Sequence, residues 1–231
     1  MKEYRHIFFD LDNTLWDFES NSRDMLLELF EKHDLQKLGI PSFEFFHEKY
    51  VERNIMMWEQ YRHNKIDKET LRGKRFEFTF WDMGLDPELV PAGLSHDYSM
   101  AGPKRSKLFP HAKETLQYLS AKYKLHILSN GFEEVQHVKL QSSGIHHFFE
   151  NIITSDKAGY KKPDLKIFEH ALKAASAQLS EVIMIGDGLE VDIAGARDAG
   201  WDTVFFNPLK LQHEQKATYE INGLEELKKI L

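Results

Sequence analysis

The sequence predicts an α/β fold: a Rossmann-like, doubly wound parallel sheet with an all-helical segment inserted after its first strand. Two patterns predict it. Short apolar runs rich in β-branched and aromatic residues recur at wide spacing, and from the second on each follows a stretch with helical periodicity. That alternation belongs to a parallel sheet covered by helices on both faces. Residues 17–102 break the alternation and read as helices only. The expected organisation is therefore a core of residues 1–16 and 103–231 and an inserted helical domain of residues 17–102.

Strands are expected at "HIFFD" (6–10), "LHILSN" (125–130), "NIITS" (151–155), "VIMIGD" (182–187) and "TVFFN" (203–207). Before the second, "FPHAKETLQYLSAKYK" puts Pro110 at a first helical position and Ala112, Leu116 and Leu119 on one side. Before the fourth, "KPDLKIFEHALKAAS" carries Ile167, Phe168, Ala171 and Leu172 as an apolar stripe. "DIAGARDAG" ends on Gly200, where glycine terminates a helix. In the insert, "NSRDMLLELFEKHDLQ", "SFEFFHEKYVERNIMMWEQYRHN" and "DKETLRGKRFEFTFWDMG" read as helices capped at Asn21 or Ser22, Ser42 and Asp67. Asp86 and Pro87 mark another helix start. Phe43, Phe46, Tyr50, Met57, Trp58 and Tyr61 share a helical stripe, the pattern of a bundle core.

Hydrophobic residues make up 42% and charged residues 29%, a composition able to bury a core. With no cysteine, disulfides and thiolate metal sites are excluded, and a cytoplasmic location is the simplest expectation. No stretch approaches the ~20 apolar residues of a membrane span. "MKEYRHIFF" enters a strand without a signal-peptide pattern. A formal net charge of −7 argues against a nucleic-acid polymer as partner. It leaves room for a small phosphorylated metabolite, which needs only a few local positive groups. The sequence leaves the oligomeric state open and requires nothing beyond a monomer.

In an open α/β sheet, ligands bind outside the carboxyl ends of the strands. The first run ends in Asp10, Asp12 and Thr14, and the second in Ser129, Asn130 and Gly131. The fourth ends in "GDGLEVD", with Asp187 and Asp192, and "GYKKPD" adds Lys161 and Lys162. Asp10 and Asp12 stand two apart at the end of a buried strand. Two such carboxylates repel and resist desolvation unless positive charge stands between them. Oxygen ligands without sulfur suit Mg2+. Taken singly, each motif has a plainer reading: Thr14 as a helix cap, Ser129-Asn130-Gly131 as a turn, Asp192 as a capping carboxylate.

Together, "DLDNT", "SNG", "KKP" and "GDGLEVD" stand in the order of the four motifs of the haloacid-dehalogenase superfamily of phosphohydrolases. The whole chain resembles that family, with the insert matching its helical cap. The resemblance implies that Asp10 is the nucleophile that becomes an aspartyl phosphate. It implies that Asp12 protonates the leaving oxygen and then activates water. Mg2+ would be held by Asp10, the backbone carbonyl of Asp12 and Asp187. Ser129, the amide of Asn130, Thr14 and Lys162 would meet the phosphoryl group, and Asp192 would fix metal-bound water or Lys162. Of the adjacent Lys161 and Lys162 only one should point inward, and the family's lysine directly precedes proline, which selects Lys162.

The family's dehalogenases carry no aspartate two residues after the nucleophile, so Asp12 argues against dehalogenation. Phosphonate cleavage would need an imine-forming lysine in the cap, where Lys49, Lys65, Lys68 and Lys74 stand. A phosphorylated receiver or binding module lacks an insert of this size. The more specific resemblance is to bacterial nucleotide 5′-monophosphatases (pyrimidine 5′-nucleotidases), through "FFDLDNTLWDF", "SNGFEEVQHVKLQSSGI" and "ITSDKAGYKKPDLKIF". N-acylneuraminate-9-phosphatases, or other sugar-phosphate phosphatases, are the alternative. Specificity is expected in the cap, with Trp58, Tyr61, Arg72 and Arg75 as candidates for stacking on a base or binding an acidic group. The crossings near Trp16–Phe18 and near Gly102-Pro103 are expected to hinge.

Overall fold

A computed structural model describes residues 3–231. The chain forms two compact units, one running up to Phe18 and again from Ser106 on, the other spanning Glu19–Arg105. The chain starts with β1 (His6–Phe9) and continues through α1 (Phe18–Lys32), α2 (Phe43–Arg62), α3 (Lys68–Gly73), α4 (Arg75–Asp82) and α5 (Leu94–Ala101). It then alternates through α6 (Ala112–Ser120), β2 (Lys124–Ser129), α7 (Glu133–Ser142), β3 (Phe149–Thr154), α8 (Ser155–Ala158), α9 (Leu165–Ala175) and β4 (Val182–Gly186). α10 (Gly195–Asp198), β5 (Asp202–Phe206), β6 (Tyr219–Ile221) and α11 (Leu227–Ile230) complete it.

The six strands form one parallel sheet in the order β3-β2-β1-β4-β5-β6. Phe9 pairs with Ile127 on one side and Ile185 on the other. From β1 the chain winds outward in both directions, so the carboxyl end of β1 is the switch point where such sheets bind ligands. Successive residues of β1 face opposite layers. Ile7 and Phe9 pack with Leu116, Leu119 and Leu140, and Phe8 packs with Ile167, Phe168 and Trp201. All four β1 residues are buried, which is why Ile7, Phe8 and Phe9 follow His6 as an apolar run without alternation. β6 was not among the expected strands; three residues are too few for a periodic signal.

The helical unit has its own core, built on Leu26, Leu29, Phe46, Tyr50, Phe76 and Phe80. Ser42 and Asp67 cap as expected, accepting from the N–H of Phe45 at 3.2 Å and of Thr70 at 2.7 Å. Other boundaries differ. α1 begins at Phe18, so Asn21 and Ser22 are buried inside it and do not stand at its start. The helix expected through "DKETLRGKRFEFTFWDMG" breaks at Lys74, directly after the weak helix former Gly73. Asp86 and Pro87 start only a 3₁₀ turn, Pro87–Leu89. Pro110 lies outside α6, whose first turn follows His111 in a left-handed conformation (φ 64°).

Candidate active site

The end of β1 is folded tightly enough to present two carboxylates side by side. The Asp10 N–H continues the ladder to Ile185 O at 2.9 Å, so its position is set by the sheet. Leu11 turns back into the core, fully buried, and its carbonyl accepts from the N–H of Leu15 and Trp16 at 3.0 and 2.9 Å. Asn13 takes the left-handed conformation this turn requires (φ 61°), which asparagine tolerates. Asp10 is 8% exposed.

Positive charge does meet this pair, and it comes as two lysines, one for each carboxylate. Lys162, 1% exposed, donates to Asp10 Oδ1 at 2.7 Å, to Asp192 Oδ1 at 2.6 Å and to Leu128 O at 2.6 Å. These three bonds use every donor of its ammonium. Asn130 anchors the lysine's backbone twice: its Oδ1 accepts from Lys162 N–H at 2.8 Å and its Nδ2 donates to Lys162 O at 2.9 Å. The Asn130 side chain is therefore engaged by the Lys162 backbone.

β4 delivers the remaining acids. Asp192 Oδ2 accepts from Gly188 N–H at 2.9 Å, and a Cβ on Gly186 would lie 2.4 Å from that same oxygen. Only glycine at 186 lets Asp192 approach this closely. Thr14, expected at the phosphoryl group, lies against Asp187 in the structure. Fully buried, it donates to Asp187 Oδ1 at 2.9 Å and accepts from Asp187 N–H at 3.1 Å, so its hydroxyl is committed to orienting the acid.

Burial pushes the Asp10 carboxyl well above its usual range; Lys162 opposes this, and the charges of Asp192 and Asp187 reinforce it. Asp187 is pushed up to about 7, first by burial and then by the charge of Asp192. For Lys162, burial pulls the pKa down, but Asp10 and Asp192 outweigh it and hold the ammonium above its usual range. Carboxylate oxygens of Asp10, Asp187 and Asp192 lie within 4.8 Å of one another. Three acids facing one lysine form a cluster that further positive charge would stabilise, and their hard oxygens fit Mg2+.

Asp12 is gripped by two side chains that the four motifs do not include. Lys139 lies 2.5 Å from its Oδ1, and Gln136 donates to its Oδ2 at 2.8 Å. Gln136 also donates to Ser129 Oγ at 2.7 Å. Both sit on the buried side of α7, an amide and an ammonium three residues apart, so the only sequence signal was a polar pair at helical spacing in the helix that follows "SNG".

The cap candidates are all in the helical unit. Trp58 and Tyr61 pack edge to face with ring centroids 5.7 Å apart, and Tyr61 is buried. Arg72 is half-buried on α3. Arg75 is 5% exposed, donates to the Tyr50 hydroxyl at 3.1 Å and lies 4.9 Å over the Tyr98 ring. None of Lys49, Lys65, Lys68 and Lys74 is buried, so none is in the apolar setting that an imine-forming lysine needs.

The model of a family described as haloacid dehalogenase-like hydrolase matches residues 4–200. The pyrimidine 5′-nucleotidase YjjG of Escherichia coli (strain K12) is 30% identical over 97% of this chain and 96% of its own length. The glyceraldehyde 3-phosphate phosphatase of Methanothermobacter thermautotrophicus is also 30% identical, over 95% of this chain and 92% of its own. Among solved structures, the HAD-hydrolase YfnB from Bacillus subtilis, bound to magnesium, superposes with a TM-score of 0.88 at 28% identity, covering 99% of both chains. No helix among the described residues is long and apolar enough to cross a membrane.

Proposed function

The chain belongs to the haloacid dehalogenase-like hydrolases, and on that premise we propose that it is a Mg2+-dependent phosphomonoester hydrolase working through an aspartyl phosphate on Asp10. The observation that carries this reading is the gathering of Asp10, Asp187, Asp192 and Lys162 at the switch point of the sheet. Asp10, Asp187 and the backbone carbonyl of Asp12 would hold Mg2+. When bound, it supplies the positive charge that lets a dianionic phosphate approach an anionic nucleophile. A magnesium-bound structural relative supports this choice of ion.

In the first half-reaction an Asp10 carboxylate oxygen bonds to phosphorus as the ester P–O bond breaks, and the leaving oxygen takes a proton from Asp12. In the second, Asp12 takes a proton from water, the water oxygen bonds to phosphorus, and the Asp10–phosphorus bond breaks to release inorganic phosphate. Lys162 offsets negative charge around Asp10 throughout, while the Ser129 hydroxyl and the Asn130 amide hold phosphoryl oxygens. Asp192 keeps Lys162 in place. Phosphate monoester hydrolysis demands rate enhancements up to about 10²¹, so this fixed arrangement of charge must supply most of the effect.

The proposed substrates are nucleoside 5′-monophosphates, a reading supported by the likeness to a pyrimidine 5′-nucleotidase. A second reading, a sugar or triose phosphate, is supported by the equal identity to a glyceraldehyde 3-phosphate phosphatase. Phosphate release from a panel of nucleotides, sugar phosphates, triose phosphates and N-acylneuraminate 9-phosphate with Mg2+ decides between them, with Asp10→Asn as the blank. Preference for nucleotides is expected; no release from any monoester would overturn the hydrolase reading.

A further inference from the structure

Two residues one helical turn apart on α7 reach into the catalytic motifs from outside them. Lys139, 6% exposed, lies 2.5 Å from Asp12 Oδ1 and 4.3 Å over the Trp16 ring, so aromatic packing as well as charge holds its ammonium. Gln136 Nε2 bridges Asp12 Oδ2 at 2.8 Å and Ser129 Oγ at 2.7 Å. Both oxygens of Asp12 are therefore fixed from one helix. Ser129 Oγ also accepts from Gly131 N–H at 3.1 Å. With two N–H donors on its lone pairs, the serine hydroxyl has only its own proton left to offer, and it is set as a donor.

The amide fits because residue 131 is glycine. A Cβ there would stand 2.2 Å from Gln136 Nε2 and 2.5 Å from its Cδ. Gln136 is fully buried, and its Oε1 has no hydrogen-bond partner among the described residues. An unsatisfied buried carbonyl is destabilising, so packing alone would favour an apolar side chain at this position.

We propose that Gln136 and Lys139 are positioning residues that tie the acid/base carboxylate of Asp12 to the phosphoryl-binding hydroxyl of Ser129 through a single amide. The inference rests on the hydrolase reading above. Asp10 bonds to phosphorus through its own oxygen, and Ser129 Oγ retains its bond from Gly131 N–H when Gln136 is lost, but each proton transfer through Asp12 needs its carboxylate held in one orientation. Loss of the pair therefore separates the two halves of the reaction.

The test compares 4-nitrophenyl phosphate, whose leaving group departs without a proton, with an alkyl ester, 2-phenylethyl phosphate, whose leaving group needs one. In Lys139→Met and Gln136→Met, kcat for the alkyl ester should fall roughly 10²-fold with KM little changed. With the aryl ester, a burst of about one nitrophenolate per site should precede slow turnover, and acid-labile phosphoenzyme should accumulate. Lys139→Arg should recover part of the loss. Should Gln136→Met fail to fold, Gly131→Ala displaces the same amide and should give the same burst. Wild-type kcat on both esters, or an equal loss on both without a burst, would overturn the inference while leaving the hydrolase reading intact. A wild-type protein inactive on both esters and on every monoester of the panel above would overturn the two together.

Discussion

Thr14 and Asp187, 173 residues apart, exchange two hydrogen bonds: the hydroxyl donates to Oδ1 at 2.9 Å and accepts from the aspartate's N–H at 3.1 Å. A hydroxyl can do both at once and a methyl can do neither. Thr14→Val keeps the shape and removes the bonds, leaving the Asp187 carboxylate free to turn. Mg2+ affinity is expected to fall about 10- to 100-fold, while Thr14→Ser should retain most of it. Calorimetric titration of Mg2+ into the two variants checks this; unchanged affinity in Thr14→Val would mean that Asp187 needs no such support.

The same carboxylate gives a pH prediction. Asp187 is pushed up to about 7 in the fold by burial and the charge of Asp192, against 3.8 unperturbed. Its contribution to stability is complete below 3.8 and is lost as pH rises through 7, because the unfolded chain ionises first. Asp10 is shifted in the same direction. The metal-free protein should therefore melt at lower temperature at pH 8 than at pH 5.5. Added Mg2+ should raise the melting temperature more at pH 8, where the acids are ionised, and Asp187→Asn should flatten the dependence. A metal-free melting temperature that rises over this range, in parallel with Asp187→Asn, would contradict it.

Gly195 bears on Lys162 through packing alone. A Cβ at this position would lie 2.8 Å from Pro163 Cβ and 3.0 Å from its Cα, and Pro163 follows Lys162 directly. Relief requires the Pro163 backbone to move, and Lys162 is held by three bonds of 2.6–2.7 Å. Gly195→Ala is expected to cost about 1–3 kcal/mol from overpacking and up to about 10²-fold in kcat from misplacing the ammonium. Gly73→Ala is the control, since nothing lies within 4 Å of its added Cβ. Melting curves and kcat for both proteins distinguish a local effect on Lys162 from a general intolerance of alanine.

What was legible in the sequence was whatever a local pattern can encode. Strands buried on both faces appear as apolar runs such as Ile7-Phe8-Phe9, and polar residues collect where those runs end, which marked Asp10, Ser129 and Asp187 for attention. Side-chain direction is a tertiary property. Thr14 could have faced a phosphate or an acid, and only the approach of β4 decides that it meets Asp187. Gln136 and Lys139 belong to a helix whose sequence reads as surface-like, "EEVQHVKLQS", and their burial depends on where Asp12 and Trp16 arrive from 120 residues earlier in the chain. The short β6, with one buried residue in three, carries too little pattern to be read at all.

Arg75 shows how the same composition can suggest a ligand site where the fold builds a core. An arginine among aromatics in a helical insert reads as an anion or base contact. In the structure its guanidinium is enclosed by Tyr50 and Tyr98, whose hydroxyls lie 2.6 Å apart, and its Nε has no partner among the described residues. The tyrosines stabilise the charge through hydrogen bonding and cation–π contact, and no carboxylate pairs with it in this cluster. Burial of the tyrosine hydroxyls holds Tyr50 far above its usual range, so it stays neutral beside the cation. Arg75→Ala removes the packing of a long side chain and leaves both hydroxyls short of a partner, at an expected cost of about 1–3 kcal/mol. Arg75→Met, which keeps most of the volume, should cost less, because the packing against the tyrosine rings is retained. KM across the phosphomonoester panel should stay within about twofold in Arg75→Met, since a 1.4 kcal/mol change in binding corresponds to a tenfold shift. A selective rise in KM for one substrate, with stability unchanged, would return Arg75 to the ligand-binding residues.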